Sequence, residues 1–240
     1  MEYYLTDDIL LKDNKLFHAH KEIKKHNWHN LLKYYGWEKL HKNWIRNLNS
    51  YLKKPSNNSQ FGCLDCGGDG DCLFFCISYA LKSKELYNIN YECDVKYLRK
   101  LITESITGEK FEEIITIYRI LNESNDFDEE WDPDTITIQE FKEKIIEGGN
   151  EYWGDHILLN ILKEVLNINL IILNSNEITN EYYHYPLMFD YHTDMKTIIL
   201  LYENKIHFKL IGYFQNGNMI SYFEHKDIPE EILKIINYIR

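Results

Sequence analysis

Residues Gly67-Gly68-Asp69-Gly70-Asp71-Cys72-Leu73-Phe74-Phe75-Cys76 place a thiol directly behind a tight, acidic glycine turn. Closely spaced glycines permit backbone angles that other residues adopt only at a cost, and Asp-Gly-Asp both turns a chain and can cap a helix behind it. Leu73, Cys76, Ile77, Ala80 and Leu81 then recur at helical spacing, which predicts a helix with Cys72 at its N-terminus. Free backbone N–H groups and the positive end of a helix dipole lower a thiol's pKa, and the same N–H groups can bind a developing oxyanion. Cys72 is therefore the candidate nucleophile.

Cysteines also bind metals, and Cys63-Leu64-Asp65-Cys66 with Cys72 and Cys76 brings four thiols close together in sequence. A zinc knuckle is the competing chemistry. The second pair, however, is spaced C-x3-C inside an apolar helix and would need a sharp chain reversal to meet the first. Cys76 also falls on the face assigned to the core, so no metal is expected. The alternating acids of Asn122 to Asp134 lack the glycine turn and closing Glu of a calcium loop and read as a solvated loop.

Composition bounds the reading. The chain has 240 residues, 44% of them hydrophobic and 27% charged, enough for a sizeable core in one domain with an appendage. No apolar run approaches the ~20 residues of a membrane span, and the first residues lack the layout of a signal peptide. Five clustered cysteines, an odd number, argue for reduced thiols and a cytoplasmic setting, its own cell's or a host's. Residues 1–60 carry 11 Lys and Arg against 6 Asp and Glu, a net +5, whereas the rest carries net −16. Neither nucleic acid nor a membrane suits the acidic part. The split divides the chain into a basic helical extension, residues 1–58, and a body, residues 59–240.

The elements that position Cys72 follow from periodicity. Ile23, Trp28, Leu31, Leu32, Tyr35, Leu40, Trp44, Ile45, Leu48 and Leu52 recur every three or four residues, so residues 1–54 read as helices, ending at the polar linker Lys54 to Gln60. Asp94 to Tyr118 keeps helical period with a break at Gly108, and Thr137 to Ile146 forms another helix. Asp155 is placed to cap a helix through Ile157, Leu158, Ile161, Leu162 and Val165. Asn167 to Leu173 and Thr197 to Tyr202 are apolar enough for central strands, and Ile206 to Ile211 is a further strand carrying His207. A Tyr-rich segment, Tyr182 to Phe189, lies between them. Phe214 and Met219 flank a hairpin turn at Asn216-Gly217-Asn218, and Pro229 opens a last helix. An α+β domain with a small sheet accounts for this order.

Three of these elements in sequence resemble the ovarian tumour (OTU) family of cysteine proteases. Gly68-Asp69-Gly70-Asp71-Cys72-Leu73-Phe74 is close to the family's G-D-G-N-C-L-F, with Asp71 in place of Asn; Tyr152-Trp153-Gly154 matches its W-G; and His207-Phe208 matches its H-[YF]. The resemblance spans roughly Gly67 to Ile211. It implies a papain-like OTU fold, α+β with a small central sheet between helices, and a deubiquitinase that cleaves after the C-terminal glycine of ubiquitin or a ubiquitin-like modifier. No cofactor, nucleic acid or membrane is implied, and a monomer is expected.

The implied roles are chemical. Cys72 attacks the carbonyl, and His207 pairs with the thiolate and protonates the leaving amine. The backbone N–H groups of Gly70, Asp71 and Cys72 receive the oxyanion. Asp69 holds the turn in shape, and Phe208 and Trp153 line the substrate channel. Many family members carry Asp or Asn two residues after the histidine; here Lys209 stands there and cannot accept a bond from the imidazole. Asn204 and Asp65 are the other candidates for that orienting place. The competing readings are an inactive OTU-like ubiquitin-binding module and a zinc-binding Cys cluster.

Overall fold

The computed structural model describes residues 2–4, 9–13, 15–53, 59–84, 94–124, 131–149, 152–176, 181–183 and 191–239. Cys93, the linker residues 54–58 with the proposed boundary at 58, most of the acidic loop and most of Tyr182 to Phe189 lie outside them.

The chain opens with an antiparallel meander, β1 (Glu2–Tyr4), β2 (Ile9–Lys12), β3 (Lys15–His18) and β4 (Lys21–Glu22). This corrects the helical reading of the first residues. Lys12 pairs with Lys15 and His18 with Lys21, so each connection is a two-residue turn. Asp13, Ala19 and His20 adopt the left-handed angles such turns demand. Ile9, Leu11 and Leu16 are buried while their neighbours are less so, a period of two over runs too short to stand out beside the longer helical pattern beyond them. Helical structure begins at α1 (Trp28–Leu31) and a 3-10 turn (Leu32–Tyr35), and returns in α2 (Lys42–Ser50).

Between them β5 (Trp37–Lys39) pairs with β6 (Phe61–Leu64) in the main sheet. The remaining elements are α3 (Cys72–Lys84), α4 (Val95–Ser105), α5 (Gly108–Glu123), α6 (Ile138–Glu147), α7 (His156–Leu166), β7 (Ile168–Asn176), β8 (Glu181–Tyr183), β9 (Lys196–Glu203), β10 (His207–Gln215), β11 (Asn218–Ile220), β12 (Tyr222–Phe223) and α8 (Glu230–Ile239). The main sheet runs β5-β6-β10-β9-β7-β8, with β11 on β10 and β12 on β9. Only β7 and β9 pair in parallel among these strands, and α7 precedes that pair. The predicted β10–β11 hairpin turns at Asn216-Gly217, and the predicted helix from Thr137 starts at a capping box closed by Thr137 and Glu140.

The apolar strands are buried on both faces, as strands inside a helix sandwich must be. Leu170, Ile172, Ile198, Leu200 and Leu210 face one core, with Leu73, Ile77, Leu98, Phe141 and Leu158 from the helices between α3 and α7. Ile171, Leu173, Ile199, Leu201 and Ile211 face the other, with Trp44 and Leu48 of α2 and Ile232, Ile235 and Ile236 of α8. The small sheet between helices expected of the resemblance is thus present, and residues from the basic segment contribute to both of its cores. Among the described residues no helix is long and apolar enough to cross a membrane.

Because Trp44 is fully buried in the second core, Trp44→Ala should destabilise the protein by about 3–5 kcal/mol. Urea denaturation checks this; an unchanged midpoint would mean that α2 does not pack on that core.

Candidate active site

The turn before α3 is closed by three constraints. Asp69 and Gly70 have φ of 56° and 83°, and the Asp71 N–H donates to the Gly68 carbonyl at 3.2 Å. A Cβ on Gly70 would lie 1.9 Å from the Gly149 carbonyl oxygen, so only glycine lets the two backbones meet there. The Asp71 carbonyl accepts the Phe75 N–H at 2.9 Å and starts the helix. Cys72 therefore stands at the helix N-terminus, as its sequence predicts, with its side chain 7% exposed.

The turn bond revises the expected oxyanion donors. Of the three expected donors, the Asp71 N–H is engaged within the turn. Asp69 also differs from expectation: its side chain is exposed, and among the described residues no partner holds it. Its contribution to the turn is its left-handed backbone, an angle Asp tolerates. The Asp71 side chain holds the turn instead, through an ion pair with Arg99, one of whose contacts is Nε to Oδ1 at 2.9 Å.

Across the cleft, the Phe208 N–H donates to Cys72 Sγ at 3.4 Å. That bond seats the start of β10 on the start of α3, and His207 is the adjacent residue. His207 Nε2 lies 3.2 Å from Asp65 Oδ1, in ion-pair range although the two are not aligned for an ordinary hydrogen bond. Asp65 is itself fixed, because the Gly67 N–H donates to the same Oδ1 at 3.1 Å.

Asp65 reaches the imidazole because β6 pairs with β10. Leu64 is opposite Leu210, so the residue after Leu64 continues towards the end of β10 that carries His207. Of the two alternatives in the sequence, the structure brings Asp65 to His207. Lys209, two residues beyond the histidine, is 2.6 Å from Glu203 Oε2. Burial works against its charge, but the Glu203 hydrogen bond, together with the charge of Glu203 and of other groups nearby, outweighs this and raises the ammonium's pKa.

Burial pushes the Cys72 thiol above its ordinary pKa, while the N–H groups of Phe208, Leu73 and Cys72 itself pull in the opposite direction. Cys63 is pushed up to about 12 by burial. It packs with the second core, across the sheet from Cys66, Cys72 and Cys76. The four thiols thus do not form one cluster, and no group of three or more His, Cys, Asp or Glu among the described residues could hold a metal ion.

Trp153 is 45% exposed and sits beside the thiol's helix, because a Cβ on Gly154 would be 2.8 Å from Leu73. Phe208 differs from expectation. The residue is 3% exposed and its ring is stacked 4.4 Å from that of Tyr202, so it packs in the core that also holds Cys72 and is not an open channel wall. An apolar cavity of about 340 Å³ between α5 and α7 contains none of these residues.

The model of the OTU-like cysteine protease family matches residues 67–208. None of the curated proteins matches the chain. Among solved structures, the viral OTU domain protease of Dera Ghazi Khan virus is 15% identical, covering 65% of this chain and 82% of its own, with a TM-score of 0.42. An OTU deubiquitinase from Wolbachia pipientis wMel is 14% identical over 78% of this chain and all of its own, with a TM-score of 0.41.

Thiolate is the species that reacts with alkylating agents. Brief treatment with iodoacetamide at pH 8 should therefore label Cys72 at least ~10-fold faster than Cys63, as read by peptide mass spectrometry. Comparable labelling of both would contradict the larger rise that desolvation gives the Cys63 thiol's pKa.

Proposed function

Because the chain belongs to the OTU-like cysteine protease family, we propose that it is a deubiquitinase, cleaving the peptide or isopeptide bond after the C-terminal glycine of ubiquitin or a ubiquitin-like modifier. The observation that carries this is the bond from the Phe208 N–H to Cys72 Sγ, which brings the residue that follows His207 to the thiol at a helix N-terminus.

The reaction runs through this chain's own groups. His207 takes the Cys72 proton and forms a thiolate–imidazolium pair. The buried sulfur's new charge is met by the N–H groups of Phe208 and Leu73. The thiolate attacks the glycine carbonyl, and the oxyanion falls to the N–H groups of Gly70 and Cys72. His207 then protonates the leaving lysine amine as the C–N bond breaks. Water, deprotonated by His207, hydrolyses the thioester and frees the modifier's carboxylate. Asp65 holds the imidazole and its positive charge throughout, the part an acceptor after the histidine plays in many relatives.

Trp153 is exposed and precedes Gly154, which packs on the thiol's helix, so its indole suits the apolar passage that a diglycine tail requires. The net charge of −16 over residues 61–240 favours a basic tail before that diglycine. The protein is proposed to work as a monomer, without metal or organic cofactor. An inactive binding module is less well supported, since Asp65 occupies the orienting place that Lys209 leaves empty.

Ubiquitin bearing an electrophilic C-terminus should form a covalent adduct at Cys72, and Cys72→Ala should form none. An unmodified wild-type protein would overturn the proposal. Asp65→Ala should lower kcat by about 10²-fold, the scale on which a misplaced catalytic group acts. A kcat equal to the wild type's would remove Asp65 from the mechanism.

A further inference from the structure

Arg99 is a charged side chain in a helix that the proposed reaction does not use, and it is 1% exposed. Burying a guanidinium is costly unless its donors are met and its charge is paired. Here Nε donates to Asp71 Oδ1 at 2.9 Å and a terminal nitrogen also pairs with that oxygen. The other terminal nitrogen donates to the Ile145 carbonyl at 2.9 Å, and a further bond reaches the Tyr152 carbonyl at 3.1 Å. The guanidinium also lies 4.0 Å over the Phe74 ring, in cation–π contact.

These partners are the parts that surround the thiol. Asp71 immediately precedes Cys72. Ile145 and Tyr152 stand at the two ends of the stretch joining α6 to α7, and Tyr152 immediately precedes the exposed Trp153. Gly149, in the middle of that stretch, presses its carbonyl against Gly70. Gly148 stands against the guanidinium itself, where a Cβ would be 2.6 Å from Nε. One side chain thus ties the turn that supplies N–H donors to the segment that backs it.

We propose that Arg99 is a positioning residue for the oxyanion site: by clamping the Asp71 carboxylate and both ends of the α6–α7 connection, it aims the Gly70 and Cys72 N–H groups at the reacting carbonyl. This rests on the proposed thiol chemistry but not on ubiquitin as the substrate. Asp71 in place of the family's Asn makes the clamp a charged pair in this chain, with planar, two-pronged geometry that a lysine could not reproduce.

Two small reagents separate positioning of the oxyanion site from reactivity of the sulfur. p-Nitrophenyl acetate acylates the thiolate: a sulfur–carbon bond forms through a tetrahedral oxyanion, then the bond to p-nitrophenolate breaks. Iodoacetamide alkylates the same sulfur with loss of iodide and no oxyanion. In the full chain, Arg99→Gln should slow the Cys72-dependent burst of p-nitrophenolate by about 10–100-fold while alkylation of Cys72 stays within about twofold. Asp71→Ala, which leaves Arg99 its two carbonyl partners, should show the same split and serves if Arg99→Gln fails to fold by circular dichroism. Asp71→Asn, which keeps an oxygen for the guanidinium, should recover part of the burst.

The proposal is overturned if acylation and alkylation fall together, if the burst merely tracks melting temperature across the variants, if it is unchanged, or if the wild type shows no Cys72-dependent burst. Failure of electrophilic ubiquitin to label the wild type would sink the deubiquitinase reading alone, since neither reagent contains ubiquitin.

Discussion

A buried guanidinium has few acceptable surroundings, and those around Arg99 determine much of the domain's arrangement. Its charge needs an anion, its remaining donors need carbonyls, and its flat face needs an apolar or aromatic floor. Asp71, Ile145, Tyr152 and Phe74 supply these from separate stretches of chain. Satisfying one side chain therefore fixes α4 against the end of α6, the start of α3 and the entry to α7. Removing any one partner would leave a buried donor or charge uncompensated, which costs more than the bond itself contributes. The same logic runs through the neighbouring aromatic cluster. Half-buried Asp155 accepts from the Ile157 and Leu158 N–H groups at the start of α7 and from the Tyr118 hydroxyl at 2.5 Å.

The sheet solves a different problem, bringing residues far apart in sequence to one point. Cys72 and His207 belong to the first residues of α3 and β10, and the Phe208 N–H joins those two starts through the sulfur. Such a meeting is reproducible only if β10 cannot slide. A one-residue slip would exchange Leu210 and Ile211 between the two cores, and each is fully buried in its own. Register is thus held by apolar burial on both faces, and the meeting of the two starts depends on it.

What the sequence made legible was what local rules govern. The glycine turn and helix start at Cys72, the Asp155 cap, the helix start at Thr137 and the apolar runs of β7 and β9 are all written within a few residues of where they act. The meander β1–β4 was not legible, because strands of two to four residues carry too few positions to show alternation beside a longer helical pattern. Phe208 looked like a channel wall because its position beside His207 is visible while the side of the strand its ring takes is not. Arg99 reads in sequence as one more polar position on an amphipathic helix; its burial depends on Asp71, Ile145 and Tyr152 converging, which no spacing within α4 reveals. The signal that could have pointed to it is Asp71 itself, an acid where relatives carry Asn and which, next to a thiolate, asks for a cation.

Asp65 could be named from the sequence as a candidate, but its place beside His207 is visible only once β6 is known to lie beside β10. The place after the histidine is occupied by Lys209, whose ammonium could by charge draw Asp65 away from the imidazole. Glu203, opposite His207 on β9, takes that ammonium at 2.6 Å. Lys209 then pairs with Glu203 while Asp65 faces His207, and the Gly67 N–H holds the Asp65 carboxylate in place. A lysine where an acceptor was expected is therefore compatible with an oriented histidine, because the sheet supplies two carboxylates from two flanking strands, one to satisfy the cation and one to face the ring.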